Sequence, residues 1–370
     1  MKAIILVGGL GTRLRPLTCN TPKPMIPLVN QPFIEHMLEN LRDQGIDDVI
    51  LAVQYLAARF RATLGDGARL GLKLQIVEEP EPRGTAGAVK NVEHLLDGTT
   101  FVFNGDVMTD LDLRAMLAYH RERESKLTIA LTPVEDPTAF GLVETHPDGR
   151  IRRFIEKPNR DDITTDMINA GTYIIEPEVF RYVPPGQHYM FERGLFPVLL
   201  QTNDPMYGYS SRAYWTDVGK PQTYLEVHHD ILIGKVRYQF RGRQIADRVW
   251  AEDGVDIHAS AQIVGPVVLG PGVQIGAGAR IIGPTVIGAR CVIGTNATVE
   301  AAVLWEDNVV GENTLLRSCV LGRGNQIGAR AHLADGTIVS DGCVVGPENR
   351  LERGIRLWPN TQLKEQAISF

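Results

Sequence analysis

The chain is poor in cysteine, in long apolar runs and in positive charge. Its 370 residues include four cysteines, which lack metal-site spacing and are too few for a disulfide framework. No apolar run approaches the roughly 18–20 residues of a membrane span. The formal net charge is −6, which argues against a nucleic-acid-binding face. No cleavable signal precedes the first apolar run, so we expect a cytoplasmic protein with neither membrane nor nucleic-acid partners.

The length and composition indicate an ordinary globular protein of more than one domain. A chain of 370 residues exceeds one comfortable hydrophobic core, and 44% hydrophobic with 22% charged residues is typical of soluble proteins. Changes in sequence pattern place a first domain over 1–232, a connector over 233–252, a repeat domain over 253–356 and a tail over 357–370.

A glycine-rich turn follows the first apolar run, residues 3–6, which is short enough to be a buried strand. Its glycines let the backbone approach a polyanion closely, and cations stand beside them. The glycines are Gly8, Gly9 and Gly11, and the cations are Arg13, Arg15 and Lys23. The dinucleotide fingerprint fails because Leu14 stands where its third glycine should be, and the Gly-Lys-Ser/Thr of ATPase loops is absent. The pattern predicts a phosphate-handling loop of another kind.

Apolar strands alternate with amphipathic helices over the first two-thirds of the chain. This alternation predicts an α/β fold with a Rossmann-like, mostly parallel (mixed) sheet, whose ligands collect beyond the carboxyl ends of the strands. One such end is residues 101–105, followed by Asp106, a hard-oxygen ligand suited to Mg²⁺. Asp148-Gly149 predicts a hairpin.

The combination of residues 12–17, Pro22-Lys23-Pro24 and Glu156-Lys157-Pro158 resembles the sugar-1-phosphate nucleotidylyltransferases, or NDP-sugar pyrophosphorylases. Within that family the similarity is greatest to the mannose-1-phosphate guanylyltransferases that carry a C-terminal β-helix. The resemblance implies Mg²⁺-assisted condensation of a nucleoside triphosphate with a sugar 1-phosphate. The favoured substrates are GTP and mannose 1-phosphate. The products are an NDP-sugar and pyrophosphate.

The resemblance also implies roles for individual residues. The catalytic cations are Arg13, Lys23 and Lys157. The nucleotide-binding residues are Leu6, Gly8, Gly9, Gly11, Thr12, Arg13, Glu79, Gly84, Thr85 and Asp106. The sugar-binding residues are Asn104, Gly105, Gly141, Glu156, Lys157, Asn169 and Gly171. The metal ligands are Asp106 and Asp217.

The base and the sugar are less strongly indicated than the reaction. Relatives that use uracil or thymine commonly have Gln where this chain has Glu79, and an ionised carboxylate matches the adjacent N–H donors of guanine. Gly105, in contrast, is shared with relatives that activate glucose with UTP or dTTP. A glucose-1-phosphate thymidylyl- or uridylyltransferase is therefore the alternative within the family.

From Ile257 onward an aliphatic residue recurs every sixth position, with one-residue slips near Trp305 and Cys319. This period predicts a left-handed parallel β-helix of hexapeptide repeats, which we expect to mediate homo-oligomerisation. Such helices also occur in acyltransferases, but His258 and His332 are the only histidines of the repeat, and both are expected at the surface. A bifunctional acyltransferase and a non-catalytic subunit that senses nucleotide-sugars are the remaining alternatives. The intact loop, lysines and aspartates favour catalysis.

Overall fold

A computed structural model describes residues 1–79 and 81–369, and Pro80 of the predicted nucleotide loop therefore lies outside the described residues. The chain divides into two compact units. We call Met1–Leu10 with Ile34–Asp217 the sheet unit, and Gly11–Phe33 with the chain from Val218 onward the β-helix unit. Each unit is described separately.

The strands as far as Asp217 are short and mostly buried on both faces, as expected for a sheet covered on both sides. In chain order they are β1 (Lys2–Val7), β2 (Pro27–Leu28), β3 (Gln31–Pro32), β4 (Asp48–Val53), β5 (Lys73–Glu78), β6 (Thr100–Asn104), β7 (Val107–Thr109), β8 (Leu127–Pro133), β9 (Gly141–Thr145), β10 (Ile151–Glu156), β11 (Met167–Ile175), β12 (Met206–Ser210) and β13 (Trp215–Asp217).

The α-helices show the expected start signals. Asp112 caps one of them by accepting a hydrogen bond from the Ala115 backbone N–H at 2.9 Å, and Pro221 occupies the first position of another. The helices are α1 (Phe33–Asp43), α2 (Ala57–Leu64), α3 (Gly84–Asn91), α4 (Leu113–Glu122), α5 (Phe196–Gln201) and α6 (Pro221–Leu232). Among residues 1–79 and 81–369, none of the helices combines the length and apolarity that crossing a membrane requires.

The sheet unit contains a nine-stranded mixed sheet. Its main path runs β10-β9-β11-β6-β1-β4-β5, with β8 paired to β11 and β12 paired to β8. Strands β6, β1, β4 and β5 are parallel neighbours, whereas β11 is antiparallel to β6. This arrangement confirms the predicted mixed α/β sheet, and the hairpin predicted at Asp148-Gly149 joins antiparallel β9 and β10.

The β-helix unit consists mainly of two- and three-residue strands in three parallel ladders. The strands are β14 (Arg243–Ala246), β15 (Val249–Ala251), β16 (Asp256–Ile257), β17 (Gln262–Val264), β18 (Val267–Leu269), β19 (Gln274–Ile275), β20 (Arg280–Ile282), β21 (Thr285–Ile287), β22 (Val292–Ile293), β23 (Thr298–Glu300), β24 (Val303–Leu304), β25 (Val309–Val310), β26 (Leu315–Arg317), β27 (Val320–Leu321), β28 (Gln326–Ile327), β29 (His332–Leu333), β30 (Ile338–Val339), β31 (Val344–Val345), β32 (Arg350–Leu351), β33 (Arg356–Leu357) and β34 (Gln362–Leu363).

The ladders confirm the hexapeptide period and its slips. Val267 pairs with Thr285, eighteen residues later, whereas Val286 pairs with Val303 after seventeen. The aliphatic residue of each hexad points into one continuous core, in which Ile281, Val299 and Leu316 are fully buried. The fold is a left-handed parallel β-helix, as the repeat predicted.

The ladders extend beyond positions 253 and 356, where the sequence pattern placed the domain limits. Val249 in β15 pairs with Val267, and β33 and β34 continue the coils to Leu363. The six-residue spacing continues at Leu357 and Leu363, but Trp358 and Lys364 follow them in place of the small residues that follow the aliphatic position in many interior coils. Antiparallel β14 lies along β15 at the end of its sheet, where it occupies an edge that would otherwise be unpaired.

Candidate active site

The first strand of the sheet unit leads into open backbone. Strand β1 ends at Val7, and a Cβ added to Gly9 would meet no described atom within 4 Å. A Cβ on Gly8 would meet only Gln54 Oε1 at 3.4 Å, an ordinary contact. The backbone here is accessible to a ligand, as the glycine pattern predicted.

Asp106 and Asp217 are brought together by strand pairing. Strand β13 is antiparallel to β7, and Asp217 is the register partner of Val107, the residue after Asp106. Opposed residues of antiparallel strands have Cα atoms about 4.5–5.5 Å apart. The two carboxylates, 111 positions apart in sequence, therefore belong to neighbouring strand ends, and both residues are half-buried.

Gly105, which lies between Asn104 and Asp106 in the sequence, allows the loop to pack closely against β1. Its N–H donates to the Leu6 carbonyl at 2.9 Å, and an added Cβ would lie 2.6 Å from that oxygen. Any side chain here would push the loop away from β1. The predicted contact of Gly105 with the sugar stays a prediction.

Asn104, Asn169 and Gly171 form one cluster. Gly171 has φ +72°, and a Cβ on it would lie 2.7 Å from Asn104 Nδ2. Asn169 Oδ1 accepts from the Gly171 N–H at 3.0 Å, while its amide donates to the hydroxyl of buried Tyr173 at 2.9 Å. These bonds fix the Asn169 amide in one orientation, and the predicted sugar contact of Asn169 stays a prediction.

The hairpin of β9 and β10 adds Gly141, Glu156 and Lys157. Glu156 is the register partner of Gly141, and a Cβ on Gly141 would lie 2.5 Å from the Phe154 ring and 3.2 Å from Glu156 Oε2. Lys157 follows with φ +54°, and its N–H donates to the Phe140 carbonyl at 3.0 Å. Its side chain is exposed, so the ammonium group is available to an anionic ligand.

Glu79 is a buried carboxylate at the end of β5. It is 7% exposed, and Oε2 accepts from the Arg83 N–H at 3.4 Å. Burial raises the pKa of Glu79, and the Arg83 hydrogen bond and charge partly oppose this. Gly84, with φ +69°, packs against the chain so closely that a Cβ would lie 2.8 Å from the Tyr189 carbonyl oxygen.

The hydroxyl of Thr85 is occupied by protein contacts. It accepts from the Phe191 N–H at 2.8 Å and donates to Glu192 Oε2 at 3.3 Å. Burial raises the pKa of Glu192, and the nearby Glu156 charge raises it further. The predicted nucleotide contact of Thr85 stays a prediction and would fall to its backbone.

The contacts of Glu192, Trp215 and Tyr173 near the predicted site residues were not predicted from the sequence. Glu192 lies in a π-helical turn, Phe191–Leu195, a distortion frequent at functional sites. Trp215 Nε1 donates to the Ala170 carbonyl at 2.8 Å, and its ring packs edge-on against Phe140 at 5.4 Å. No local motif marks such contacts, although Trp215 does stand two residues before Asp217.

The β-helix unit carries the remaining predicted residues, Gly11, Thr12, Arg13 and Lys23. Gly11 has φ +61°, and a Cβ on it would lie 3.1 Å from both Lys23 Cβ and Thr18 Cγ2. Thr12–Leu14 and Lys23–Met25 each form one turn of 3₁₀ helix. Arg13 is exposed, whereas Lys23 is only 6% exposed.

The histidines of the repeat lie outside any three-ligand cluster. His258 Nδ1 lies 2.9 Å from Ser260 Oγ at an exposed position, and His332 Nε2 lies 3.6 Å from a Glu352 oxygen. Over residues 1–79 and 81–369, no group of three or more His, Cys, Asp or Glu side chains could hold a metal ion. A cation in the sheet unit would need ligands besides Asp106 and Asp217.

Two consecutive segments of the chain match two family models. Residues 2–233 match the nucleotidyl transferase family, and residues 246–351 match the EIF2B subunit epsilon LbH domain. The chain belongs to the nucleotidyl transferase family and is a nucleotidyltransferase.

The chain is also similar to individual nucleotidyltransferases. The chain is 40% identical to a mannose-1-phosphate guanylyltransferase of Mycobacterium tuberculosis over 73% of this chain and 75% of the relative. It is 35% identical to the mannose-1-phosphate guanylyltransferase catalytic subunit beta of Danio rerio over 94% and 93%. A UTP–glucose-1-phosphate uridylyltransferase of Synechocystis sp. is 35% identical over 73% and 74%.

A solved structure is similar as well. HddC from Yersinia pseudotuberculosis, complexed with GMP-PN, has a TM-score of 0.54 and 29% identity. The match covers 61% of this chain and 97% of that one.

Proposed function

We propose that this nucleotidyltransferase condenses GTP with mannose 1-phosphate to give GDP-mannose and pyrophosphate. An oxygen of the sugar phosphate attacks the α-phosphorus in line, and the bond from that phosphorus to the oxygen bridging to the β-phosphorus breaks. The observation that carries the proposal is the pairing of Asp217 beside Asp106 at the carboxyl ends of the sheet strands. Positioning and charge neutralisation suffice for this reaction, so no covalent enzyme intermediate is needed.

The triphosphate is assigned to the first glycine-rich turn and its cations. The open backbone at Gly8 and Gly9 suits close approach by phosphate oxygens. Arg13 and Lys23 supply the charge that stabilises the departing pyrophosphate. Leu6, Gly11 and Thr12 are assigned to the same nucleotide through their backbone.

Asp106 and Asp217 fit Mg²⁺ as its protein ligands. Mg²⁺ is commonly held by one or two carboxylates, with phosphate oxygens and water completing its coordination. A pair of aspartates on neighbouring strand ends supplies the carboxylates of that donor set. When bound, the ion would neutralise charge on the α-phosphate.

The sugar phosphate is assigned to the cluster on β6, β9, β10 and β11. Asn104, Glu156 and Asn169 offer amide and carboxylate groups for sugar hydroxyls, while Gly141 and Gly171 let the chain pack closely against Phe154 and Asn104, so that these groups lie together. The ammonium group of Lys157 pairs with the 1-phosphate.

The base is assigned to the loop after β5. An ionised Glu79 accepts from adjacent N–H donors, which guanine presents and uracil does not. The similarity to two guanylyltransferases and to the HddC structure with GMP-PN supports the same choice.

The similarity to a UTP–glucose-1-phosphate uridylyltransferase keeps one second candidate, a glucose-1-phosphate uridylyl- or thymidylyltransferase. A matrix of ATP, GTP, CTP, UTP and dTTP against the 1-phosphates of mannose, glucose and N-acetylglucosamine separates the two. Pyrophosphate release is the readout. We expect the highest kcat/KM for GTP with mannose 1-phosphate. Preference for UTP or dTTP with glucose 1-phosphate establishes the second candidate, and no turnover with any pair contradicts catalysis.

The pH dependence tests Glu79 directly. Because its pKa is raised, the Glu79 carboxylate protonates and loses acceptor capacity at a higher pH than an ordinary glutamate does. The KM for GTP should therefore rise with falling pH, relative to Glu79→Gln, which has no such titration. At pH 8, Glu79→Gln should lose about 10- to 150-fold in kcat/KM for GTP, equivalent to a charged hydrogen bond of about 1.5–3 kcal/mol. Parallel pH profiles for both proteins would refute the guanine role.

Location and assembly follow from the proposed function. GTP and sugar phosphates are cytoplasmic metabolites, so we assign the protein to the cytoplasm. We expect a homo-oligomer that involves the β-helix, and light scattering coupled to size-exclusion chromatography measures its mass.

A further inference from the structure

Residues 11–33 are held by side chains of the β-helix that lie more than 300 positions away. Ser340 Oγ donates to the Pro16 carbonyl at 2.9 Å, and Arg356 Nη1 donates to the Arg15 carbonyl at 3.1 Å. Ser340 is 1% exposed, so its bond is shielded from water and is more costly to break. The β-helix therefore fixes the backbone immediately after Arg13.

Arg323 makes the corresponding contact close to Lys23. Its Nη1 donates to Thr21 Oγ1 at 2.7 Å, and Thr21 is only 3% exposed. The guanidinium group is itself held in place, because Nε bonds Glu306 and the group lies over the Trp305 ring at 5.0 Å. A planar, pre-organised donor of this kind fixes the position of its acceptor.

Trp305 and α6 complete the support. Trp305 is 1% exposed, and its Nε1 donates to the Tyr224 hydroxyl at 2.9 Å. That hydroxyl in turn donates to the Pro27 carbonyl. Asn30 Nδ2 donates to the Ile287 carbonyl at 3.0 Å. The contacts thus reach residues 11–33 at points on both sides of Lys23.

We propose that the β-helix positions the triphosphate-binding cations, with Arg323 as a positioning residue that acts on Lys23 through Thr21. The proposal rests on the proposed function for the role of Lys23. Lys23 is buried, so the segment around it sets where its ammonium group lies. A displacement of about 1 Å in a positioned catalytic group can lower the rate about 100-fold. The β-helix would then be part of the catalytic apparatus in addition to any role in assembly.

The first test removes the Thr21 contact in two ways. Thr21→Ser keeps the hydroxyl acceptor, whereas Thr21→Val keeps the shape and loses it. We expect Thr21→Val to lower kcat about 10-fold or more, with little change in the KM for the sugar 1-phosphate. Thr21→Ser should keep the wild-type kcat. Equal kcat values for wild type, Thr21→Ser and Thr21→Val overturn the proposal.

The second test changes the donor. Arg323→Ala should lower kcat as Thr21→Val does, and the double variant should be no slower than the single ones, because both remove one interaction. Arg330→Ala is the matched control, since Arg330 pairs with Glu348 across neighbouring coils at 2.7 Å. It should leave kcat unchanged. Equal losses in Arg323→Ala and Arg330→Ala would indicate general destabilisation and overturn the assignment.

Amide hydrogen exchange over residues 11–33 of the full chain separates this inference from the proposed function. Arg323→Ala and Thr21→Val should accelerate exchange in this segment, and Arg330→Ala should not, whatever substrates the protein uses. If the wild-type protein turns over none of the substrate pairs, the proposed function fails and exchange alone decides the positioning role. Unchanged exchange in both variants overturns it.

Discussion

The two units differ in how far apart in sequence their neighbouring strands are. In the sheet unit Lys2 lies beside Thr100 and Asp48, whereas in the β-helix the parallel strands lie beside strands seventeen or eighteen residues away, as Val286 does beside Val303. The sheet therefore gathers chemically different loops at its strand ends. The β-helix repeats one local solution and presents similar coils along its length.

Glycines show the same contrast. In the β-helix, a Cβ on Gly288 would lie 2.5 Å from the Trp305 carbonyl carbon, so this glycine allows the next coil to stack closely. In the sheet unit, Gly171 allows the chain to approach the amide of Asn104. Close approach produces a regular scaffold in one unit, and in the other it brings together residues of the proposed sugar site.

The largest expected effect comes from the paired aspartates of the sheet unit. Asp106→Asn removes one negative charge next to Asp217 while keeping nearly the same shape. We expect kcat to fall about 10³-fold, because a bound cation contributes several kcal/mol of charge stabilisation. Pyrophosphate release at saturating Mg²⁺ measures the loss.

Asp112→Asn is the control for that substitution. Asp112 caps α4, and asparagine caps a helix equally well, so activity and melting temperature should stay at wild-type values. Wild-type activity in Asp106→Asn would contradict the metal assignment and leave the sheet unit without its main catalytic feature.

The β-helix was the more predictable unit because its contacts are local. A hexad signal from Ile257 onward determines which residues face the core, and even the shortened coils are visible as slips in the sequence. The coils beyond Leu351 were not predicted, because Trp358 and Lys364 stand where small residues follow the aliphatic position in many interior coils. Nor does a period of six indicate that Arg323 and Ser340 bond a segment near the start of the chain.

The position of a candidate site residue was predictable where a motif follows a strand. Asp106 and Glu156 each stand at such an end, and the order of the sheet strands decides which of these ends meet. The contact of Glu192 with Thr85 was not predicted, because it depends on a π-helical turn and on packing across 107 positions. Hydrophobic periodicity carries no information about that distance.

The second-largest effect is expected in the β-helix, where each coil packs against the adjacent coils. Leu316 is fully buried, and its register partners are Val299 and Leu333 on adjacent coils. Leu316→Ala should reduce the free energy of unfolding of this unit by about 2–5 kcal/mol, through lost burial and a residual cavity. Urea unfolding monitored by circular dichroism measures the change.

Val309 provides a matched outward-facing control. It is 47% exposed and precedes the inward-facing Val310, so Val309→Ala should change the free energy by no more than about 0.5 kcal/mol. Well below the unfolding transition, kcat should match wild type in both variants. A loss for Val309→Ala as large as that for Leu316→Ala would mean that the coils do not have the described inward and outward faces.

The smallest of the three effects concerns a single loop of the sheet unit. Lys157→Met removes the charge at a similar length, and we expect kcat/KM for the sugar 1-phosphate to fall about 10- to 150-fold, the equivalent of one charged hydrogen bond of about 1.5–3 kcal/mol. The KM for the triphosphate should change little. Lys73→Met is the control, because Lys73 is an exposed lysine whose ammonium group lies 3.6 Å from Asp48. If Lys157→Met instead raised the KM for the triphosphate, the hairpin of β9 and β10 would belong to the nucleotide site. The assignment of strand ends to the two substrates would then be wrong.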